Sequence, residues 1–127
     1  MTNKQEKMIC NSFGIAKLKA FQKDVITDLL NGKDVLGLAR TSEGKSICFL
    51  SMIVMHPNDL LIGILPTVAL MRDLVQRCGD SKIRAGCLYS GNRENTTVIE
   101  RLTHRKLQAL FVAPERLSDS RLWKAIQ

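Results

Sequence analysis

The stretch Ala39-Arg40-Thr41-Ser42-Glu43-Gly44-Lys45-Ser46 decides how this chain is read. It follows the apolar run 34–39 and opens the apolar segment 45–55, so it lies where a strand gives way to a helix. A small residue at Ala39 and a glycine at Gly44 let backbone wrap closely around phosphate oxygens. The amides from Glu43 to Ser46 then face inward at a helix N-terminus, where unpaired N–H groups and the helix dipole favour an anion. In that geometry Thr41, Ser42, Glu43 and Gly44 line a polyphosphate, Lys45 reaches its outer phosphates, and the Ser46 hydroxyl holds magnesium. The competing local reading is a turn that caps the helix through Ser42, with Lys45 solvated.

Outward from this loop, short apolar runs alternate with amphipathic segments. The runs 34–39, 60–65, 83–89 and 107–113 read as strands. The second is apolar at consecutive positions, as in a strand covered on both faces. Residues 21–30, 45–55, 67–78, 93–104 and 114–126 read as helices. In the third of these, Met71, Leu74, Val75 and Cys78 fall on one face. Four strand–helix units predict an α/β fold, a parallel sheet with helices on both faces, whose ligands bind at the carboxyl ends of the strands. The expected organisation is one domain, with a helical segment over 1–32 leading into a lobe over 33–127. Trp123 reads as a packing anchor beside Leu122 and Ile126. His56 and His104 read as helix-end residues rather than ligands.

Composition excludes several classes. At 127 residues, 45% hydrophobic and 24% charged, the chain fits one small globular domain and not a disordered tail. No run approaches the roughly 18 apolar residues of a membrane span, and the polar N-terminus lacks a signal peptide's apolar centre. No membrane partner is expected, and the expected location is intracellular, nuclear or cytoplasmic. The four cysteines, at 10, 48, 78 and 87, lack zinc-ligand spacing and read as free thiols. The net charge of +7 is compatible with a polyanionic partner, although the lysines and arginines are scattered.

Three further segments carry a family resemblance. Phe13-Gly14-Ile15-Ala-Lys-Leu18-Lys19-Ala-Phe-Gln22 resembles motif zero of the RecQ-like superfamily 2 DNA helicases. Leu65-Pro66-Thr67-Val-Ala-Leu70-Met71-Arg72-Asp73 resembles their motif Ia. Phe111-Val-Ala-Pro114-Glu-Arg116-Leu117 resembles their Ala-Pro-Glu-Arg-Leu segment. With the phosphate loop, four motifs stand in the family's order from about Phe13 onward.

The resemblance implies an N-terminal RecA-like lobe of the P-loop NTPase type that uses ATP and Mg2+. It gives Gln22 the adenine edge and sets Lys19 near the base, where the family usually has arginine. Ile15 stands where the family often has an aromatic residue, and Ser42 and Glu43 where many helicases have small residues. The resemblance also lays DNA, single-stranded or partially duplex, along Pro66, Thr67, Arg72 and Arg116. The family's Asp-Glu-Ala-His-type carboxylate motif follows the Ala-Pro-Glu-Arg-Leu segment, and the ten residues after Leu117 do not contain it. No residue is therefore expected to be catalytic. The chain is expected to be the ATP-binding part of a DNA-unwinding helicase, inactive alone, marginally stable and prone to self-association through an exposed sheet edge. The alternative is a non-catalytic nucleic-acid-binding or regulatory remnant.

Overall fold

The computed structural model describes residues 1–38 and 44–127; the loop residues Ala39, Arg40, Thr41, Ser42 and Glu43 lie outside the described residues. The chain forms two compact units, Met1–Pro57 and Asn58–Gln127.

The first unit contains three helices, α1 (Asn3–Phe13), α2 (Ala20–Leu30) and α3 (Lys45–Met55). Thr2 and Gln5 start α1 with a reciprocal pair of bonds: the Thr2 oxygen accepts from the Gln5 N–H at 3.1 Å, and the Gln5 side chain accepts from the Thr2 N–H at 2.9 Å. Gly14 ends α1 in the left-handed conformation, at φ 67°, where a side chain would be strained. The apolar faces converge on a core of Ile9, Cys10, Leu18, Ile26 and Ile47.

Residues 34–38 form no strand, which corrects the first strand expected from the sequence. Leu36 and Leu38 are 88% and 90% exposed. A strand is defined by its ladder partner, and among the described residues none pairs with this run.

The second unit holds a parallel sheet of β1 (Leu61–Ile64), β2 (Ala85–Leu88) and β3 (Ala109–Val112), in the order β1-β3-β2. Among the described residues three strands stand where four were expected. Helices α4 (Val68–Asp80) and α5 (Asn95–Thr103) connect them in the strand–helix alternation read from the sequence. A 3-10 helix, Pro114–Ser118, and then α6 (Ser120–Ile126) follow β3, where one continuous helix was expected. Asp119 interrupts that segment: its backbone is extended, and its carboxylate caps α6 by accepting from the Arg121 N–H at 3.0 Å.

Helices cover both faces of this sheet. Leu88, Leu110 and Val112 pack with Val98, Leu102 and Leu122 of α5 and α6. Cys87 points the other way, beside Arg72 and Val75 of α4. Central β3 is buried at every position. On edge strand β1, Ile62 and Ile64 are 39% and 56% exposed. The two-faced burial expected for 60–65 therefore belongs to β3, because the α5–α6 layer covers the middle strand and leaves part of the edge bare.

Cys10, Cys48 and Cys78 are buried, Cys87 is half-buried, and all four are free thiols. Burial pushes the Cys78 thiol up to about 11, as for a core filler rather than a reactive group. Among the described residues no helix is long and apolar enough to cross a membrane, and no group of histidines, cysteines and carboxylates could hold a metal.

Candidate functional site

The described end of the loop behaves as its residue types require. Gly44 is the N-cap of α3 at φ 77°, ψ 36°, a left-handed conformation that glycine adopts without steric cost. Lys45 and Ser46 are the first two residues of the helix, so their amides are among those with no intrahelical acceptor. Lys45 is exposed, and Ser46 is partly buried. The helix half of the expected junction is present, the strand half is not, and Thr41, Ser42 and Glu43 fall outside the described residues. The cap is Gly44, not Ser42.

Motif zero meets this loop end directly. Phe13, Ile15 and Leu18 serve the core, while Gln22 is 4% exposed and bridges two backbone groups. Its oxygen accepts from the Lys19 N–H at 2.8 Å, and its nitrogen donates to the Gly44 carbonyl at 3.0 Å. A Cβ at position 44 would lie 2.7 Å from that nitrogen. Gly44 is thus required both by its conformation and by the closeness of Gln22. A glutamine amide has two N–H groups and two oxygen lone pairs. Among the described residues these bonds use one of each and leave one of each, the donor–acceptor pair that an adenine edge needs. The left-handed glycine, the open first turn and the half-used amide all fit a nucleotide.

In the second unit, Pro66 and Thr67 follow the carboxyl end of β1, and the 3-10 helix bearing Arg116 follows the adjacent end of β3. Thr67 caps α4, its hydroxyl accepting from the Leu70 N–H at 3.2 Å. Arg72 donates from Nε and one Nη to the Tyr89 hydroxyl, at 3.1 and 2.8 Å, with its guanidinium 5.7 Å from the ring centre. Arg116 is paired with Asp119, which also binds Arg121. Both arginines expected along DNA therefore already hold an internal partner.

Sequence reasoning missed those partners. Asp119 was findable, lying three residues from Arg116 and just ahead of a helix start. Tyr89 is seventeen residues from Arg72 and gave no local signal. Trp123 is 45% exposed, its indole N–H donating to the Leu117 carbonyl at 2.7 Å; the buried anchor of α6 is Leu122.

Comparison with solved structures shows the same α/β fold. A hypothetical ATP-dependent RNA helicase from Sulfolobus tokodaii superposes with a TM-score of 0.71 at 22% identity, over 98% of this chain and 38% of that one. The DUF1998 helicase MrfA bound to DNA gives 0.72 at 19%, over 94% and 18%.

Relatives by sequence include the ATP-dependent DNA helicase Q-like SIM of Arabidopsis thaliana, 32% identical over 92% of this chain and 13% of its own length. The ATP-dependent DNA helicase RecQ of Synechocystis sp. is 31% identical over 96% of this chain and 26% of its own. The probable ATP-dependent DNA helicase RecS of Bacillus subtilis is 32% identical over 91% and 23%. The chain thus spans about a quarter or less of these curated relatives. The DEAD/DEAH box helicase pattern begins at Lys19, whose N–H Gln22 holds, and continues through residue 127. That match takes in most of the sequence: the chain belongs to the DEAD/DEAH box helicase family.

Proposed function

We propose that this chain is the ATP-binding lobe of a RecQ-like DNA helicase, with residues 1–32 supplying adenine recognition and 33–127 the RecA-like lobe. The bond between Gln22 and the Gly44 carbonyl carries this reading, because it joins a base-reading amide to the last glycine of a phosphate loop. Gln22 reads the adenine edge with its remaining donor and acceptor, beside Lys19. Thr41, Ser42, Glu43 and Gly44 line the phosphates, with the amides of the helix start supplying donors. Lys45 brings its ammonium to the β- and γ-phosphates, and Ser46 offers its hydroxyl to Mg2+. Magnesium, when bound, neutralises phosphate charge.

Pro66, Thr67, Arg72 and Arg116 form a path for single-stranded or partially duplex DNA along the carboxyl edge of the sheet. The guanidinium groups reach phosphates with the N–H donors that Tyr89 and Asp119 leave free. Duplex unwinding in an intracellular, nuclear or cytoplasmic setting is the role of the whole helicase. These 127 residues alone bind nucleotide without turnover, since they contain no Asp-Glu-Ala-His-type carboxylate pair to hold metal and orient water.

Titration with a fluorescent ATP analogue tests this. Magnesium-dependent binding is expected, weakened about tenfold or more by Lys45→Ala, the scale of one lost charge-assisted contact. Gln22→Ala is expected to erase the preference for adenine over guanine. Equal affinity in wild type and Lys45→Ala would refute the loop assignment, and phosphate release that depends on Lys45 would refute inactivity.

A further inference from the structure

The cleft beside Tyr89 lies within the second unit and shares no residue with the phosphate loop. Its volume is about 620 Å³, inside the range of about 300–1,000 Å³ usual for small-ligand sites. It opens near the carboxyl end of β2, where sheets of this class receive ligands. Val75 and Cys87 supply apolar wall, and Arg72, Tyr89, Arg93 and Glu94 supply the polar groups.

The hydrogen bonds around Tyr89 leave donors to spare. Its hydroxyl accepts two N–H groups from Arg72, which occupies both lone pairs and turns the O–H hydrogen away from the guanidinium. Among the described residues that hydrogen meets no acceptor. Two of the five Arg72 N–H donors are used and three remain. Exposed Arg93 brings a second guanidinium. Against these two cations stands the carboxylate of Glu94, so the lining carries a net positive charge.

We propose that this cleft binds a hydroxyl-bearing organic phosphate monoester. A monoester presents three terminal oxygens and nearly two charges, enough to engage both guanidinium groups and the phenol together. A backbone phosphodiester has only two free oxygens. Glu94 accepts from the ligand's hydroxyls, and Val75 and Cys87 contact its carbon skeleton. This site is separate from the nucleotide site proposed above but shares Arg72 with the proposed DNA path, so a monoester and a DNA backbone phosphate compete for that guanidinium.

Cys87 is the natural reporter, since Cys10, Cys48 and Cys78 are at most 7% exposed. The test measures alkylation of Cys87 in the full chain by peptide mass spectrometry, with ribose 5-phosphate as the probe and ribose as the control. Ribose 5-phosphate is expected to slow the reaction several-fold and saturably, and ribose to leave it unchanged. Tyr89→Phe and Arg93→Gln are each expected to raise the half-protecting concentration about tenfold, while Lys45→Ala protects like wild type.

No slowing, equal slowing by ribose, unaltered protection in Arg93→Gln, or loss in Lys45→Ala would each overturn the assignment. Should Tyr89→Phe fail to fold, the exposed Arg93 decides alone. A single strand with a 5′-phosphate that protects at lower concentration than its 5′-hydroxyl counterpart supports the site and names a nucleic-acid end as the source. Equal protection by the two strands means an internal phosphodiester fills the cleft and overturns the monoester.

Discussion

Gly44 is the residue on which the proposed nucleotide site turns. Its left-handed backbone would cost an alanine about 1–2 kcal/mol, and the new methyl would meet the Gln22 nitrogen at 2.7 Å. That nitrogen ends a flexible side chain, but the Lys19 N–H pins the same amide from its other side. Gly44→Ala is therefore expected to destabilise the first unit by about 1–2 kcal/mol and to weaken nucleotide binding as well. Far-UV circular dichroism in urea and a nucleotide titration check the two effects. The need for glycine here was legible in the sequence, because small residues at the ends of such a loop follow from phosphate geometry. The Gln22–Gly44 bond was not, since twenty-two positions separate its partners and no local pattern encodes so distant a pairing.

Among the elements, β1 and β3 meet at a matched pair. Gly63 lies in register with Phe111, and a Cβ there would stand 2.8 Å from the ring of that fully buried side chain. Gly63→Ala forces the ring off its packing and is expected to cost about 1–3 kcal/mol in a denaturation series. The corner between the 3-10 helix and α6 supplies a pH test. Hydrogen bonding from Arg121, assisted by the charge of Arg116, holds the Asp119 carboxyl below its ordinary value. A lowered carboxylate stabilises the fold above the ordinary value, and the contribution fades as pH falls through the folded value. Asp119→Asn is expected to lower the urea midpoint at about pH 7, and the gap from wild type to narrow as pH falls through the folded value of the Asp119 carboxyl. Two helix ends that the sequence indicated, Asn31 after α2 and His56 after α3, hold in the structure. The sequence pattern records which residues are apolar, not which strand lies in the middle; the two-faced burial expected of 60–65 therefore fell to β3.

At the scale of the whole molecule, the bare part of β1 governs behaviour in solution. Ile62 and Ile64 are exposed on a strand paired on one side only among the described residues, a combination that invites edge-to-edge association. Sedimentation velocity is expected to show concentration-dependent association, and Ile64→Lys to suppress it without lowering the thermal midpoint by more than ~0.5 kcal/mol in equivalent stability, as for other surface changes. Unaltered association in Ile64→Lys would assign the contact to another surface. The alternation of strands and helices that gives the fold class could be read in advance. The absence of a strand over 34–38 could not, because pairing depends on what lies beside a segment and not on its own residues.

The indole of Trp123, tied to the Leu117 carbonyl at 2.7 Å, and the phenol of Tyr89 both reside in the second unit, and the chain has no other tryptophan or tyrosine. Ultraviolet emission consequently arises in the sheet-bearing unit, and the helices that carry Gln22 and Lys45 hold no such fluorophore. A melting curve followed by fluorescence reads the sheet-bearing half directly, and heat capacity or amide ellipticity also reports the half proposed to hold the nucleotide.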